Sequence, residues 1–465
     1  MKTDVAILGG GPGGSAAAMF LIKQDIRPLI IEGVRFPRYH IGESMTGEAA
    51  HVVRDLGLES EMNRRGYTVK KGVKVYGSTG STTWFIPVTA RDKNWNLNES
   101  YTWQVRRSDF DKMMLEEALR RGATLLEAKA TRPILKDGAV CGVQVRMPDG
   151  ESIDVETGVL VDASGQATFL ANQGVTGPKY LGNYDKQVAF FSQVVETMRD
   201  DGSTREAYPG NTVIFYQQKF HWSWFIPLER NVVSVGVVVP SAYFFDRKES
   251  KKDFLVRELN ELNPVIRRYI PEIKLVEDVH VIPNYSYQVR RFTGKGFICI
   301  GDAHRFIDPI FSFGLTVTMR EAEFAAPLIK EYLGGAHRDE ARPFADHEKF
   351  CEQGTDVLED MIDFFWEYPY GFAKYVYYDF KDQMTDMFAG RIYEHLPASK
   401  SYHECAAHGT ETAMGAFQKS LKRSREYRDD DTYSIPIGSR YHPERATIWE
   451  PNAPVESTEE WMGPR

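Results

Sequence analysis

The chain has 465 residues and a mass of 53.0 kDa, more than one hydrophobic core usually fills, so two or three lobes are expected. Its 42% hydrophobic and 26% charged residues are ordinary for a globular protein, and a net charge of -8 argues against nucleic-acid backbone binding. The four cysteines (Cys141, Cys299, Cys351, Cys405) lack metal-type or CxxC spacing, and no apolar run approaches the roughly 18 residues of a membrane helix. Met1 to Asp4 lead straight into a strand pattern rather than a signal peptide, so a cytoplasmic protein is expected, with reduced thiols, no metal and no membrane.

Residues 4–8 (DVAIL) read as a short buried strand, followed by glycines and a small-residue helix over 15–24. Residues 28–32 (PLIIE) give the second strand of that unit. A helix is expected at 47–58, strands around 70–76 and 82–88, and an amphipathic helix at 108–121 with Ser108 as its N-cap. Further strands are predicted at 139–146 and 158–162. From about 187 to 240 four strand-like runs (QVAFFSQVVE, NTVIFYQQ, HWSWFIPL, NVVSVGVVV) follow one another without helices, which implies a separate inserted sheet. Residues 297–301 (FICIG) return to a buried strand, and a long helix follows Gly314. Beyond about 342 the chain reads as helical and aromatic-rich, with a polar, proline-containing tail. The expected α/β organisation is a Rossmann-like nucleotide-binding domain from 1–180 and 280–340, a mixed or antiparallel β-sheet substrate domain at 181–279, and a helical C-terminal region at 341–465.

Gly9, Gly11 and Gly14 form GxGxxG between that first strand and helix, with Pro12 and Gly13 inside the turn. The first glycine permits a tight turn, the second admits a pyrophosphate against backbone, and the third lets helix pack on strand. Glu32 ends the second strand, where a carboxylate accepts from a ribose hydroxyl.

Distant segments sharpen this reading. Gly301-Asp302-Ala303-His304 resembles the GD motif of the FAD-dependent monooxygenase superfamily, which implies FAD and places Asp302 at its ribityl chain. Arg107, in Arg-Ser-Asp-Phe-Asp, resembles the RxxFD element near the flavin, and 161–165 (VDASG) resembles the DASG turn. Residues 36–44 (FPRYHIGES), which bring Ser44 to the cofactor, are similar to the segment after the second strand in flavin-dependent halogenases. Residues 222–227 (WSWFIP) fit that family's WxWxIP signature and 306–314 (FIDPIFSFG) its FxxPxxSxG signature. The resemblance covers roughly residues 1–340.

What it implies is a reaction of reduced FAD (FADH2), O2 and a halide. Reduced flavin and O2 give a hydroperoxide, and halide attack on its distal oxygen yields hypohalous acid. An anion is costly to desolvate, so donors must hold it, and the amides of Ser312, Phe313 and Gly314 at a helix opening suit that task. The family reading makes Ser312 part of the catalytic machinery and Trp222 and Trp224 the barrier that keeps substrate off the flavin. Without the other motifs, two tryptophans alternating on a strand would be ordinary core aromatics. Lys70, in 69–75 (VKKGVKV), resembles the family's active-site lysine, which hydrogen-bonds hypohalous acid or forms a haloamine, and burial lowers its pKa. Lys71 is expected on the opposite strand face and Lys74 on the face of Lys70, as its substitute.

Phe311 stands where tryptophan halogenases carry a glutamate, which favours a phenol, pyrrole or similarly activated ring over free tryptophan. The aromatic stretch 364–378 is a candidate cover for the substrate pocket, and helix packing explains it equally well. No NAD(P)H motif stands out, so a separate flavin reductase is the expected partner, and a homo-oligomer is left open. The rival readings are a single-component FAD aromatic monooxygenase, an isoprenoid-chain reductase, and a non-catalytic flavoprotein-fold escort protein.

Overall fold

Val5 to Leu8 are all buried, with no polar alternation, so this strand end must be covered on both faces. The strand Lys2–Leu8 meets that demand in a parallel ladder, flanked by Leu29–Glu32 and Ser152–Asp162. Ser152–Asp162 changes character along its length. It alternates in burial where it pairs antiparallel with Ala139–Arg146, and is buried throughout where it also pairs in parallel with Phe297–Cys299. Thr124–Glu127 extends the parallel edge beyond Leu29–Glu32. The helices Pro12–Lys23, Arg107–Arg121 and Gly314–Leu333 pack together on this eight-stranded sheet. This is the α/β, Rossmann-like architecture that the sequence predicts.

The computed structural model describes residues 1–393 apart from 93, 95, 182–185, 284–285, 339, 368–371, 374–375 and 377–380, together with the strand Ile448–Trp449. The expected polar tail lies otherwise outside the described residues.

The second sheet also has eight strands, built on Gln187–Val195, Thr212–Gln218, His221–Pro227 and Val233–Pro240. Its outer face, with Phe190, Val213, Phe215 and Phe225, is covered by Phe254, Leu255 and Leu259 of the helix Lys251–Glu261. Its inner face carries Phe191, Ile214, Trp222 and Trp224. Gly72–Tyr76 and Thr83–Pro87 join this sheet, through a parallel ladder with Thr212–Gln218, although they lie inside the stretch expected to bind nucleotide. The C-terminal helices Ala345–Glu367 and Lys381–Ala389 pack against both lobes.

Two local expectations need correction. The helix expected from Ser108 begins at Arg107 with Arg106 as N-cap, because the Arg107 guanidinium reaches one turn on to Asp111 (2.6 Å) and ties the first turn down. The strand expected over 70–76 is two strands: Thr68–Lys70 pairs with Thr102–Gln104, and the chain changes ladders at Lys71.

Candidate active site

A cavity of about 940 Å³ runs between the two lobes. The turn after the first strand forms one end. A Cβ on Gly9 would sit 2.5 Å from Ala163 O, and one on Gly14 would sit 1.9 Å from Gly9 O, so both glycines are required by the turn itself. Gly11 differs: only the Arg38 guanidinium would meet its Cβ, at 3.5 Å, leaving backbone open to the cavity. Pro12 and Gly13 line the cavity too, and Pro12 opens the helix whose amides face it. Glu32 accepts from Gly10 N (2.8 Å) and Val34 N (2.8 Å) while facing the same space. A bare glycine backbone, a helix N-terminus and a strand-end carboxylate around one large cavity fit a dinucleotide such as FAD.

Further along the cavity lie Arg107, Asp302 and Ser44. Arg107 is buried, donating to Ile41 O (2.6 Å) and gripping Asp111 through Nε (2.6 Å) and Nη2 (3.1 Å). It is therefore no solvent-exposed helix-start arginine. Burial pushes the Asp302 carboxyl up to about 7, against the opposing pull of Arg107. The turn bearing Asp302 is held from behind: Glu321 accepts from Gly301 N (2.6 Å) and lies 2.9 Å from His304 Nε2.

Trp222, Trp224 and Ile226 alternate along one strand and all face the cavity, with the two indoles 5.7 Å apart. Trp224 Nε1 donates to Ser234 Oγ (3.2 Å), which fixes its ring, whereas Trp222 Nε1 has no partner among the described residues. Ser312 adopts a left-handed conformation (φ 63°) that ends the short turn Pro309–Phe311, so the backbone of Ser312, Phe313 and Gly314 enters the 20-residue helix Gly314–Leu333 beside the cavity.

Lys70 lies on the other side of this wall. It borders a second, small cavity of about 20 Å³, lined also by Ile214, Ile310, Phe311 and Ser312. Ile214, Ile310 and Ser312 border both cavities, so a thin partition separates the lysine from the large one. Lys70 is 2% exposed and donates to Ser44 Oγ (2.8 Å) and Met45 O (2.9 Å). Burial alone lowers its amine to about 7. Lys74, expected beside Lys70, instead lies 3.7 Å from Asp200 and over the Tyr76 ring. The ladder change at Lys71 breaks the two-residue periodicity that would have aligned them. Phe311 packs against Phe365 and Phe388, at 5.4 and 5.1 Å, and against Phe372 at 6.2 Å. Phe365 and Phe372 of the expected aromatic cover thus pack behind Phe311, which lines the small cavity with Phe388, while other residues of that stretch lie outside the described residues.

Sequence reasoning passed over Glu43, which stands within the FPRYHIGES segment. It is 1% exposed and faces the large cavity, and burial raises its carboxyl to about 7. One oxygen accepts from Gln193 Nε2 (3.2 Å), and hydrogen bonding from Ser234 and Gln193 opposes the effect of burial. Thr212 and Gln104 were also missed. Neither belongs to a recognisable motif.

The FAD binding domain family matches residues 2–346. The 1H-pyrrole-2-carbonyl-(peptidyl-carrier protein) brominase of Pseudoalteromonas luteoviolacea (strain 2ta16) is 36% identical over 392 residues, spanning 84% of this chain and 92% of that protein. Flavin-dependent halogenase ascD of Acremonium egyptiacum is 27% identical over 387 residues, 77% of this chain and 67% of that protein. The solved structure of flavin-dependent brominase Bmp2 superposes with a TM-score of 0.80 at 32% identity, covering 92% of this chain and all of that one.

Proposed function

Since the chain belongs to the FAD binding domain family and, within it, to the flavin-dependent halogenases of the non-tryptophan type, we propose that it halogenates a pyrrole or a similarly activated ring through Lys70. FAD and a halide are its cofactor and co-substrate. Bound reduced FAD, with O2, supplies the oxidising power that turns the halide into hypohalous acid. Gly11, Pro12, Gly13, Glu32, Ser44, Arg107 and Asp302 would hold the cofactor, and the amides of Ser312, Phe313 and Gly314 would hold the halide. Trp222 and Trp224 keep the ring of the substrate out of the large cavity, so the oxidised halogen has to cross the partition at Ser312.

The observation that carries this reading is the placement of Lys70: buried, without a carboxylate partner among the described residues, and across a thin wall from the cofactor-sized cavity. A free amine there can receive electrophilic halogen, or hydrogen-bond hypohalous acid, and pass it on. The pyrrole is favoured on two grounds. The brominase relative is named for a pyrrole carried on a peptidyl carrier protein. In addition, Phe311 and its surrounding rings supply shape but no base, so the ring must be activated by its own heteroatom.

The test supplies enzyme with chemically reduced FAD, O2 and bromide or chloride, and offers pyrrole-2-carboxylate as a carrier thioester, a simple phenol and tryptophan in competition. Brominated or chlorinated pyrrole or phenol is expected, strictly dependent on halide. Halide-independent hydroxylation would establish the monooxygenase reading instead, and preference for tryptophan would show that another residue serves for the missing glutamate.

A further inference from the structure

Behind the turn that carries Asp302, a group of metal-ligating side chains meets that lines neither cavity. His304 ends the turn, Glu321 stands on the helix Gly314–Leu333, and Cys351 stands on the helix Ala345–Glu367. One ligand atom from each of the three lies within 4.8 Å of the other two. His347 Nε2 brings a fourth donor, 3.3 Å from Cys351 Sγ. His347 and Cys351 are one helical turn apart and so share a face. All four residues are 1% exposed or less.

The charge at this spot needs compensation. Glu321 is fully buried, and among the described residues no lysine or arginine pairs with it. Its polar neighbours are Gly301 N (2.6 Å), His304 Nε2 (2.9 Å) and the Cys351 thiol, a weak donor. Burying an anion is costly unless a positive charge answers it.

We propose that His304, Glu321, His347 and Cys351 bind a zinc ion that ties the helix Ala345–Glu367 to the turn bearing Asp302. Two imidazoles, a thiolate and a carboxylate are all zinc ligands, whereas a thiolate disfavours magnesium and calcium. On binding, the thiol proton leaves for solvent, and the divalent ion with one thiolate, one carboxylate and two neutral imidazoles then carries no net charge. Four protein ligands fill a tetrahedral ion, so the site is structural and takes no part in halogen transfer. Its rings are already held in place. His304 stacks on Phe292 at 3.9 Å between centroids, and His347 lies against Phe324. Arg305, next to His304, pairs with Asp356 and Glu359 of the same helix, a second tie at the same junction. Cysteine spacing gives no sign of the site, because its ligands come from three separate elements.

The test uses full-length, FAD-loaded enzyme made without a polyhistidine tag in zinc-supplemented medium. After native dialysis against a chelator, metal content is read by mass spectrometry, and zinc release on denaturation by a colorimetric indicator. About one zinc per chain should survive dialysis and appear only as the protein unfolds, because the site is closed and buried. Cys351→Ala and His347→Gln should each cut retained zinc to less than about a tenth of wild type. Cys141→Ala, whose thiol faces Ile134 O instead, should keep it. Wild-type enzyme produced with cobalt should show the near-ultraviolet charge-transfer band of a thiolate-bound ion, a readout that needs no variant to fold. Wild-type enzyme left without zinc after dialysis would overturn the proposal and leave Glu321 answered by a protonated His304. Zinc retained in both folded variants, or cobalt bound without the thiolate band, would overturn it equally.

Discussion

Replacing Lys70 with methionine, similar in length but uncharged, should trade activity for stability in a pH-dependent way. In the folded protein the Lys70 amine titrates at about 7, below the usual 10.5 of an exposed lysine. Between those values the unfolded chain holds a proton that the folded protein has lost, so this lysine makes wild-type stability rise with pH across that window. At pH 7 the penalty, relative to pH above 10.5, is about 1.36 × 3.2, or about 4 kcal/mol. Lys70→Met lacks it. For 465 residues the unfolding entropy is about 1 kcal/mol/K, so 1 kcal/mol moves the midpoint by about 1 °C. Lys70→Met should therefore melt above the wild type at pH 7, and the gap should close by about 1.4 °C per pH unit between pH 7.5 and 10. The assay is paired thermal unfolding at each pH, in which all other titrating groups cancel. The variant should also yield no halogenated product while reduced FAD still consumes O2. A gap independent of pH would show that Lys70 is charged in the folded state and would refute the free-amine argument.

Gly11→Val should fold normally, since its Cβ meets only the end of Arg38, yet it should lose stoichiometric FAD because the side chain enters the cavity. Flavin absorbance of the purified variant decides it, and full FAD content would remove Gly11 from the site. Arg107→Lys keeps the charge but loses the two-pronged grip on the fully buried Asp111 and the bond to Ile41 O, so it should cost about 3 kcal/mol of stability and weaken FAD binding at least tenfold. Fluorescence titration with FAD and thermal unfolding measure the two effects, and unchanged FAD affinity would mean that Arg107 serves the fold alone.

The parts of the site legible in the sequence are those whose geometry is made by neighbours in the chain. The turn from Gly9 to Gly14 is dictated by its own backbone collisions, and Trp222 and Trp224 face one cavity because a strand alternates. What escaped reading depends on contacts between distant segments. Lys74 was aligned with Lys70 by counting residues, but pairing with Thr102–Gln104 on one side of Lys71 and with Thr83–Pro87 on the other sends the two lysines to different surroundings. The second sheet recruits Gly72–Tyr76 through its parallel ladder with Thr212–Gln218, a pairing that no local pattern announces. That same recruitment is what makes the site. Only Lys71 separates Lys70 from Gly72–Tyr76, so docking that strand beside Thr212–Gln218 brings Lys70 to Ser44, which contacts Thr212 and lines the cofactor-sized cavity. The lysine is a feature of the sequence, but its chemistry belongs to the junction of the two sheets: a lysine in the same heptapeptide on an exposed strand would keep its proton and could not serve.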